Sequence, residues 1–238
     1  MKILIVNDDS IHAPGIQVLA RAAAQMGDVY VVAPADQCSA MSQKLTIREN
    51  LVVRTHDDFP APVKGAWSVT GTPVDCVKVA LLYILKEKPD LVLSGVNNGY
   101  NVGFDTAYSG TMGAALEGAR SGIPSVALST AHESHLEAVE PHLLSTIQAV
   151  LEKPLAPGEV WNVNFPGLKK RPLEGILWDR PVARVSMFTE KYIPETRPDG
   201  SVELTCMGFA TKDDFIAPGT DAEAVRRGYI SISKLSAF

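Results

Sequence analysis

Two adjacent carboxylates, Asp8 and Asp9, follow the apolar run at residues 3–6. Placed together at the end of a buried strand, two such charges repel and are costly to hold without a compensating cation. A hard divalent ion such as Mg²⁺ or Mn²⁺, which takes oxygen ligands, is the natural compensation. Ser39 and an asparagine such as Asn97 offer neutral oxygens to complete its shell. The alternative is that Asp8 caps the helix beginning near Pro14 while Asp9 stays solvated. A second segment with chemical potential is Y-S-G-T-M-G at residues 108–113, which opens an alanine-rich helix. Free backbone N–H groups at a helix N-terminus, with the Ser109 and Thr111 hydroxyls, make an anion site. Plain capping by Ser109 is the bland alternative, and the two roles can coexist. The first β-α turn contains no G-x-G-x-x-G, and its carboxylates repel a pyrophosphate, which disfavours a nicotinamide-dependent oxidoreductase.

The elements that must position these residues are legible as short Val/Ile/Leu runs alternating with helical periodicity. Strands are predicted at 2–6, 29–33, 91–93, 125–128, 160–164 and 229–233. Helices are predicted at 14–26, opened by Pro14 and closed by Gly27, and at 73–87, with Val74, Val77, Leu81, Leu82 and Ile84 as its apolar positions. Two more are expected at 109–120 and 135–151. This β-α-β-α succession predicts an α/β fold with a doubly wound, mostly parallel sheet and right-handed crossovers. Continuous rather than alternating apolar strands fit a sheet covered on both faces. Ligands of such sheets bind beyond the carboxyl ends of the strands. Those ends carry Asn7-Asp8-Asp9, residues 37–42, residues 94–101 and Ser129-Thr130, and the topology should gather the first three into one crevice. The loop at 35–46 is too long for a tight turn and reads as functional. The expected domain division is a catalytic core at 1–165 and an irregular, strand-rich extension at 166–238, used in oligomer contacts.

Composition narrows the function further. At 238 residues the chain can bury a sizeable core without disulfides. A net charge of −5, with no block of Lys or Arg, excludes duplex nucleic acid as a natural partner. Cys38, Cys76 and Cys206 are odd in number and widely spaced, against a disulfide scaffold or a structural zinc site and in favour of a reducing compartment. The first residues read as a strand rather than a signal peptide, and no apolar run approaches the roughly 18 residues of a membrane span. A cytoplasmic location is expected. Cys76 reads as a core thiol, Asp75 as a brace of the helix beginning at Pro73, His12 as a surface residue, and Thr220 as an N-cap.

Several segments, taken in order, resemble the SurE family of survival-protein nucleotidases. They are I-L-I-V-N-D-D at 3–9 with A-P-G at 13–15, V-V-A-P at 31–34 with Ser39 and Ser42 beyond it, and T-G-T-P-V-D-C at 70–76. S-G-V-N-N-G-Y-N at 94–101, Y-S-G-T-M-G-A-A at 108–115, N-F-P at 164–166 and T-D-A-E-A-V-R-R-G-Y-I-S-I at 220–232 complete the set. The resemblance spans nearly the whole chain. It implies a Rossmann-like core and a phosphomonoesterase that hydrolyses nucleoside 5′-monophosphates, and in many members 3′-monophosphates. One divalent ion per subunit, Mn²⁺, Mg²⁺ or Co²⁺, is implied, held by Asp8, Asp9, Ser39 and Asn97. Asp8 and Asp9 are the implied catalytic residues, and Ser109, Gly110 and Thr111 the phosphate-binding stretch. Asn7, Ser42 and Asn101 join them as candidates for substrate binding. A homodimer or homotetramer with exchanged C-terminal segments, and no membrane partner, is also implied. Two positions depart from the family pattern: Ser10 and Ala40 stand where glycine is usual, so both loops are expected to be reshaped. A nucleotide-binding homologue without turnover, and a broad acid phosphatase or polyphosphatase, are the rival functions. No covalent phospho-aspartate is expected, because the two acids are adjacent rather than spaced as D-x-D.

Overall fold

A computed structural model describes residues 1–132, 136–167 and 172–236. The chain runs β1 (Lys2–Val6), α1 (Pro14–Ala23), β2 (Asp28–Pro34), β3 (Val53–Thr55), β4 (Gly65–Val69), α2 (Pro73–Val79), β5 (Leu91–Asn98) and α3 (Gly110–Arg120). It continues with β6 (Ser125–Thr130), α4 (Leu136–Leu151), β7 (Glu159–Phe165), β8 (Gly175–Leu177), β9 (Phe188–Thr196), β10 (Val202–Ala210), α5 (Asp221–Arg226) and β11 (Tyr229–Ser236). Nine strands form one sheet in the order β3-β4-β2-β1-β5-β6-β7-β11-β8. From β4 to β7 every pairing is parallel, whereas β3 and β11 join antiparallel. The doubly wound α/β architecture expected from the sequence is the one observed.

Side-chain parity along β1 explains why it is buried on both faces. Ile3 and Ile5 enter the core shared with Ile16 and Leu19 of α1 and Leu143 and Ile147 of α4. Leu4 and Val6 enter the opposite core, with Val77 of α2 and Ala114 of α3. Each fully buried residue of this kind contributes roughly 1.5–3 kcal/mol, so the four aliphatics of one strand anchor both layers. The helices also approach the sheet closely. A Cβ on Gly15 would lie 2.0 Å from the carbonyl oxygen of Val96, so only glycine lets α1 lie against β5.

The observed elements differ from expectation in four ways. Helix α1 ends at Ala23, and irregular turns carry the chain to Gly27. The helix expected at 73–87 is α-helical only to Val79 and continues as a π-turn, Ala80–Ile84. The wider turn shifts the helical phase, and Leu82, expected on the apolar face, is 83% exposed. Strand β5 runs five residues beyond Leu93, through a register shift between Ser94 and Asn97, and so carries its asparagines to the sheet edge. Strands β3 and β4 were not legible in the sequence. Helix α4 begins at Leu136 among the described residues, and its expected first residue, His135, lies outside them.

Residues 166–236 hold β8, an exposed β9–β10 hairpin, α5 and β11, which returns to pair with β7. Every residue of the two hairpin strands is exposed, including Phe188, Tyr192, Leu204 and Phe209. Among the described residues no helix is long and apolar enough to cross a membrane.

Candidate active site

In the strand order, β2, β1 and β5 are neighbours, and the chain leaves β1 toward β2 on one side while β5 lies on the other. That reversal is where open parallel sheets bind ligands. The loops leaving these three strands are pinned together there. The Cys38 amide donates to the Asp8 carbonyl at 2.7 Å, tying the β2 loop to the end of β1. The Ser42 amide donates to the Tyr108 carbonyl at 2.9 Å and its hydroxyl to the Ala107 carbonyl at 2.8 Å, tying the same loop to the entry of α3.

Asp8 and Asp9 leave β1 in different directions. Asp8 is only 6% exposed and turns to α3, where the Thr111 hydroxyl donates to its Oδ1 at 2.6 Å. Gly110 makes room for it, since a Cβ there would lie 3.0 Å from the Asp8 Cβ. Asp9 turns to β5, and its Oδ2 accepts from the Asn98 amide at 3.0 Å. Capping of α1 does not account for the pair: its N-cap is Ala13, with no side-chain cap.

Asp8, Asp9, Ser39, Asn97, Asn101, Asp105, Tyr108 and Ser109 line a cavity of about 180 Å³. The Ser39 hydroxyl accepts from Gln37 Nε2 at 3.0 Å. Asn97 donates through Nδ2 to the Gly99 carbonyl at 2.8 Å, which leaves its side-chain carbonyl as the atom available to a cation. Ser109 caps α3 by accepting from the Met112 amide at 3.0 Å, so the capping alternative holds, and the residue still faces the cavity.

Burial sets the electrostatics. It pushes the Asp8 carboxyl from its ordinary 3.8 up to about 6, against the Thr111 hydrogen bond, with the Asp9 charge adding to the rise. Asp9 is raised too, first by burial, with the Asn98 amide opposing. Asp105 is raised for the same first reason. Among the described residues no lysine or arginine lines this cavity. Three carboxylates without a cationic side chain are unfavourable alone and repel a phosphate, and a divalent cation answers both problems. The donor set fits a hard ion: two carboxylates, a hydroxyl and an amide carbonyl, all oxygen. Among the described residues no cluster of three or more His, Cys, Asp or Glu is disposed to hold a metal, so an ion here relies on the neutral oxygens.

Other expected site residues lie behind the cavity rather than on it. Asn7 is fully buried, its Nδ2 donating to the Ser10 carbonyl at 2.8 Å, while its Oδ1 finds no partner among the described residues. Thr111 holds Asp8, and Ser42 holds the loop junction. Ser10 and Ala40, in place of glycine, adopt φ of 97° and 56°, so the loops keep the left-handed backbone that glycine favours and carry side chains there.

Sequence reasoning missed a polar scaffold. Asn101 donates its amide to Asn164 Oδ1 at 2.8 Å and its Nδ2 to the Ser129 hydroxyl at 2.7 Å. Its carbonyl accepts from both Asn162 and Asn164. Asp221, preceded by the N-cap Thr220, accepts from the amides of Gly103 and Ala183. Asp105 lines the cavity and accepts from the Met187 amide at 2.8 Å, just before the hairpin. Asn101 was a candidate through S-G-V-N-N-G-Y-N, while N-F-P and T-D-A-E were the signals for Asn164 and Asp221, and none of these told which residues would pair. Asp75 braces its helix as expected, in a capping box with Thr72. Cys76 is buried in the core, and His12 sits edge-on to His56, away from the cavity.

Comparison with known proteins shows the family. Residues 3–187 match the family described as "Survival protein SurE". The "5'/3'-nucleotidase SurE" of Shigella dysenteriae serotype 1 (strain Sd197) is 37% identical over 235 residues, covering 99% of this chain and 90% of the relative. The protein of the same description from Escherichia coli O17:K52:H18 (strain UMN026 / ExPEC) matches at the same identity and coverage. The crystal structure of SurE protein from Aquifex aeolicus superposes with a TM-score of 0.81 at 33% identity, covering 100% of this chain and 94% of that one. The chain therefore belongs to the SurE family.

Proposed function

We propose that this chain is a divalent-metal-dependent phosphomonoesterase that hydrolyses nucleoside 5′-monophosphates, and 3′-monophosphates, to nucleoside and phosphate. The observation that carries the reading is a small cavity, lined by no lysine or arginine among the described residues, beneath the buried Asp8 and the half-buried Asp9 at the sheet's switch point. The names of the relatives, 5'/3'-nucleotidase, support the substrate class. Asp8 and Asp9 would hold the ion, with Ser39 and Asn97 completing its shell. When bound, such an ion supplies positive charge against the phosphoryl oxygens and acidifies a water. Thr111 keeps the Asp8 carboxylate turned toward the cavity, and the tight Asp8–Gly110 contact keeps α3 beside it. The backbone amides at the start of α3 face the charge that spreads over the transferring group. Water adds to phosphorus as the ester P–O bond breaks in line, and the departing ribose oxygen leaves with a proton.

The exposed β9–β10 hairpin supports an oligomer, since an isolated two-stranded ribbon is marginal in water and this one exposes aromatic and aliphatic side chains. We read residues 1–165 as the catalytic core and 166–238 as the extension through which a homodimer or homotetramer exchanges its C-terminal segments. Three free thiols suit the reducing cytoplasm. The test of function is phosphate release from AMP, GMP, 3′-AMP and a chromogenic phosphate ester, with Mn²⁺ and with chelator. Turnover that needs the ion is expected. AMP binding without phosphate release would identify a non-hydrolysing homologue, and a preference for polyphosphate would identify a broad phosphatase.

A further inference from the structure

Asp75 carries a buried carboxylate that the chemistry above leaves unused. The residue is 1% exposed, and among the described residues no lysine or arginine forms an ion pair with it. Burying a carboxylate is costly unless hydrogen bonds replace its water. Capping of α2 accounts for the contact with Thr72, whose amide donates to Oδ2 at 2.9 Å. Two further bonds come from 29 residues away: the Thr46 amide donates to Oδ1 at 3.0 Å and the Thr46 hydroxyl to Oδ2 at 2.6 Å. A helix cap does not need them.

Thr46 closes the segment that leaves β2, and the turn before α2 grips that segment on both sides of Ser39. On one side the Cys38 thiol donates to the Gly71 carbonyl at 3.6 Å. On the other the Thr72 hydroxyl donates to the Lys44 carbonyl at 2.6 Å, and Asp75 takes both donors of Thr46. Gly71 closes over the carboxylate, since a Cβ there would lie 2.8 Å from Oδ2. Between the two grips, Ala40 and Ser42 hold φ of 56° and 50°, a strained backbone for residues other than glycine. Such strain persists only where the surroundings over-determine it. No helix or strand lies between Pro34 and Val53 to do so, and the loop depends on its anchors.

We propose that Asp75 is a positioning residue for the ion site: through Thr46, with Thr72 on Lys44, it holds the β2 loop in the strained form that presents Ser39 to the cavity. The proposal rests on the phosphomonoesterase reading, in which Ser39 is a ligand of the ion. Asp75 does not line the cavity, so it acts through the loop alone.

Asp75→Ala would also remove the cap of α2, so the test alters the loop end of the bond. Thr46→Val keeps the branched shape and loses the hydroxyl, whereas Thr46→Ser keeps the hydroxyl. Two readouts are taken on the full chain. One is Mn²⁺ affinity by calorimetry, and the other is hydrogen exchange at the Cys38 and Ser42 amides, which pin the loop to Asp8 and Tyr108. Thr46→Val is expected to bind Mn²⁺ about 10-fold more weakly, the lower end for residues that orient a metal ligand. Both amides should exchange at least about 10-fold faster in it, and Thr46→Ser should restore both readouts. Unchanged affinity and exchange in Thr46→Val, or a loss that Thr46→Ser fails to restore, overturns the positioning role and leaves the phosphomonoesterase reading intact. If the wild type takes up no Mn²⁺, the metal reading falls by itself. Exchange then decides the anchorage: a faster rate in Thr46→Val that Thr46→Ser reverses upholds it, and an unchanged rate overturns it.

Discussion

Replacing Asp8 by asparagine is expected to stabilise the protein in chelator while removing its response to Mn²⁺. The carboxyl is raised from 3.8 to about 6 chiefly by burial. A group whose folded pKa is raised binds its proton more tightly when folded, so ionising it weakens the fold. The cost is absent below 3.8, grows through the window up to about 6, and is fully present at neutral pH. At about 1.4 kcal/mol per tenfold change in proton affinity it reaches about 3 kcal/mol. Asparagine is neutral, close in shape, and can still accept from Thr111. The assay is urea unfolding at pH 7 and pH 5, in chelator and with Mn²⁺. In chelator at pH 7 the variant should be more stable by about 1–3 kcal/mol, and the gap should shrink at pH 5. At a hundredfold excess over its Kd, Mn²⁺ should stabilise the wild type by about 2.7 kcal/mol and the variant hardly at all. A variant less stable than wild type in chelator would refute the claim that Asp8 is a buried charge awaiting a cation.

Thr111→Val, which removes the hydroxyl held against Asp8, should weaken Mn²⁺ binding by about 10- to 100-fold in calorimetry; an unchanged affinity would mean the hydroxyl does not orient the ligand. Ser10→Gly should stabilise the protein by about 1 kcal/mol, because a φ of 97° strains any side chain, and a loss on urea unfolding would show that the Ser10 side chain compensates. Asn164→Leu strands the Asn101 amide beside the cavity, leaving its carbonyl to Asn162 alone, and should cost about 1–3 kcal/mol by the same measurement. Quenched-flow trapping during AMP turnover should detect no acid-stable phosphoenzyme, and its appearance would replace direct water attack with a covalent route.

Local signals made the frame legible. Ile3, Leu4, Ile5 and Val6 are all apolar, which only a strand covered on both faces permits, and the adjacent acids follow at once. Ser109 and Pro73 marked helix starts because capping is set by neighbouring residues. Long-range partners were not legible. Thr111 was expected to meet phosphate, but its hydroxyl is spent on Asp8, 103 residues away. Asp105 stands in no motif that drew attention, and the Met187 amide that holds it comes from 82 residues on. Asp221 reads as part of a helix start until Gly103, 118 residues earlier, donates to it. Strand β4, G-A-W-S-V, is too short to declare itself and is defined by its pairing with β2. Leu82 kept its helical spacing in the sequence, and a π-turn moved it off the core face.

Crystals soaked in Mn²⁺ and phosphate, examined by anomalous diffraction, test the central claim most directly. One manganese peak per subunit is predicted, touched by Asp8, Asp9, Ser39 and Asn97, with phosphate beside it at the start of α3. An empty cavity at saturating Mn²⁺ and phosphate would contradict it.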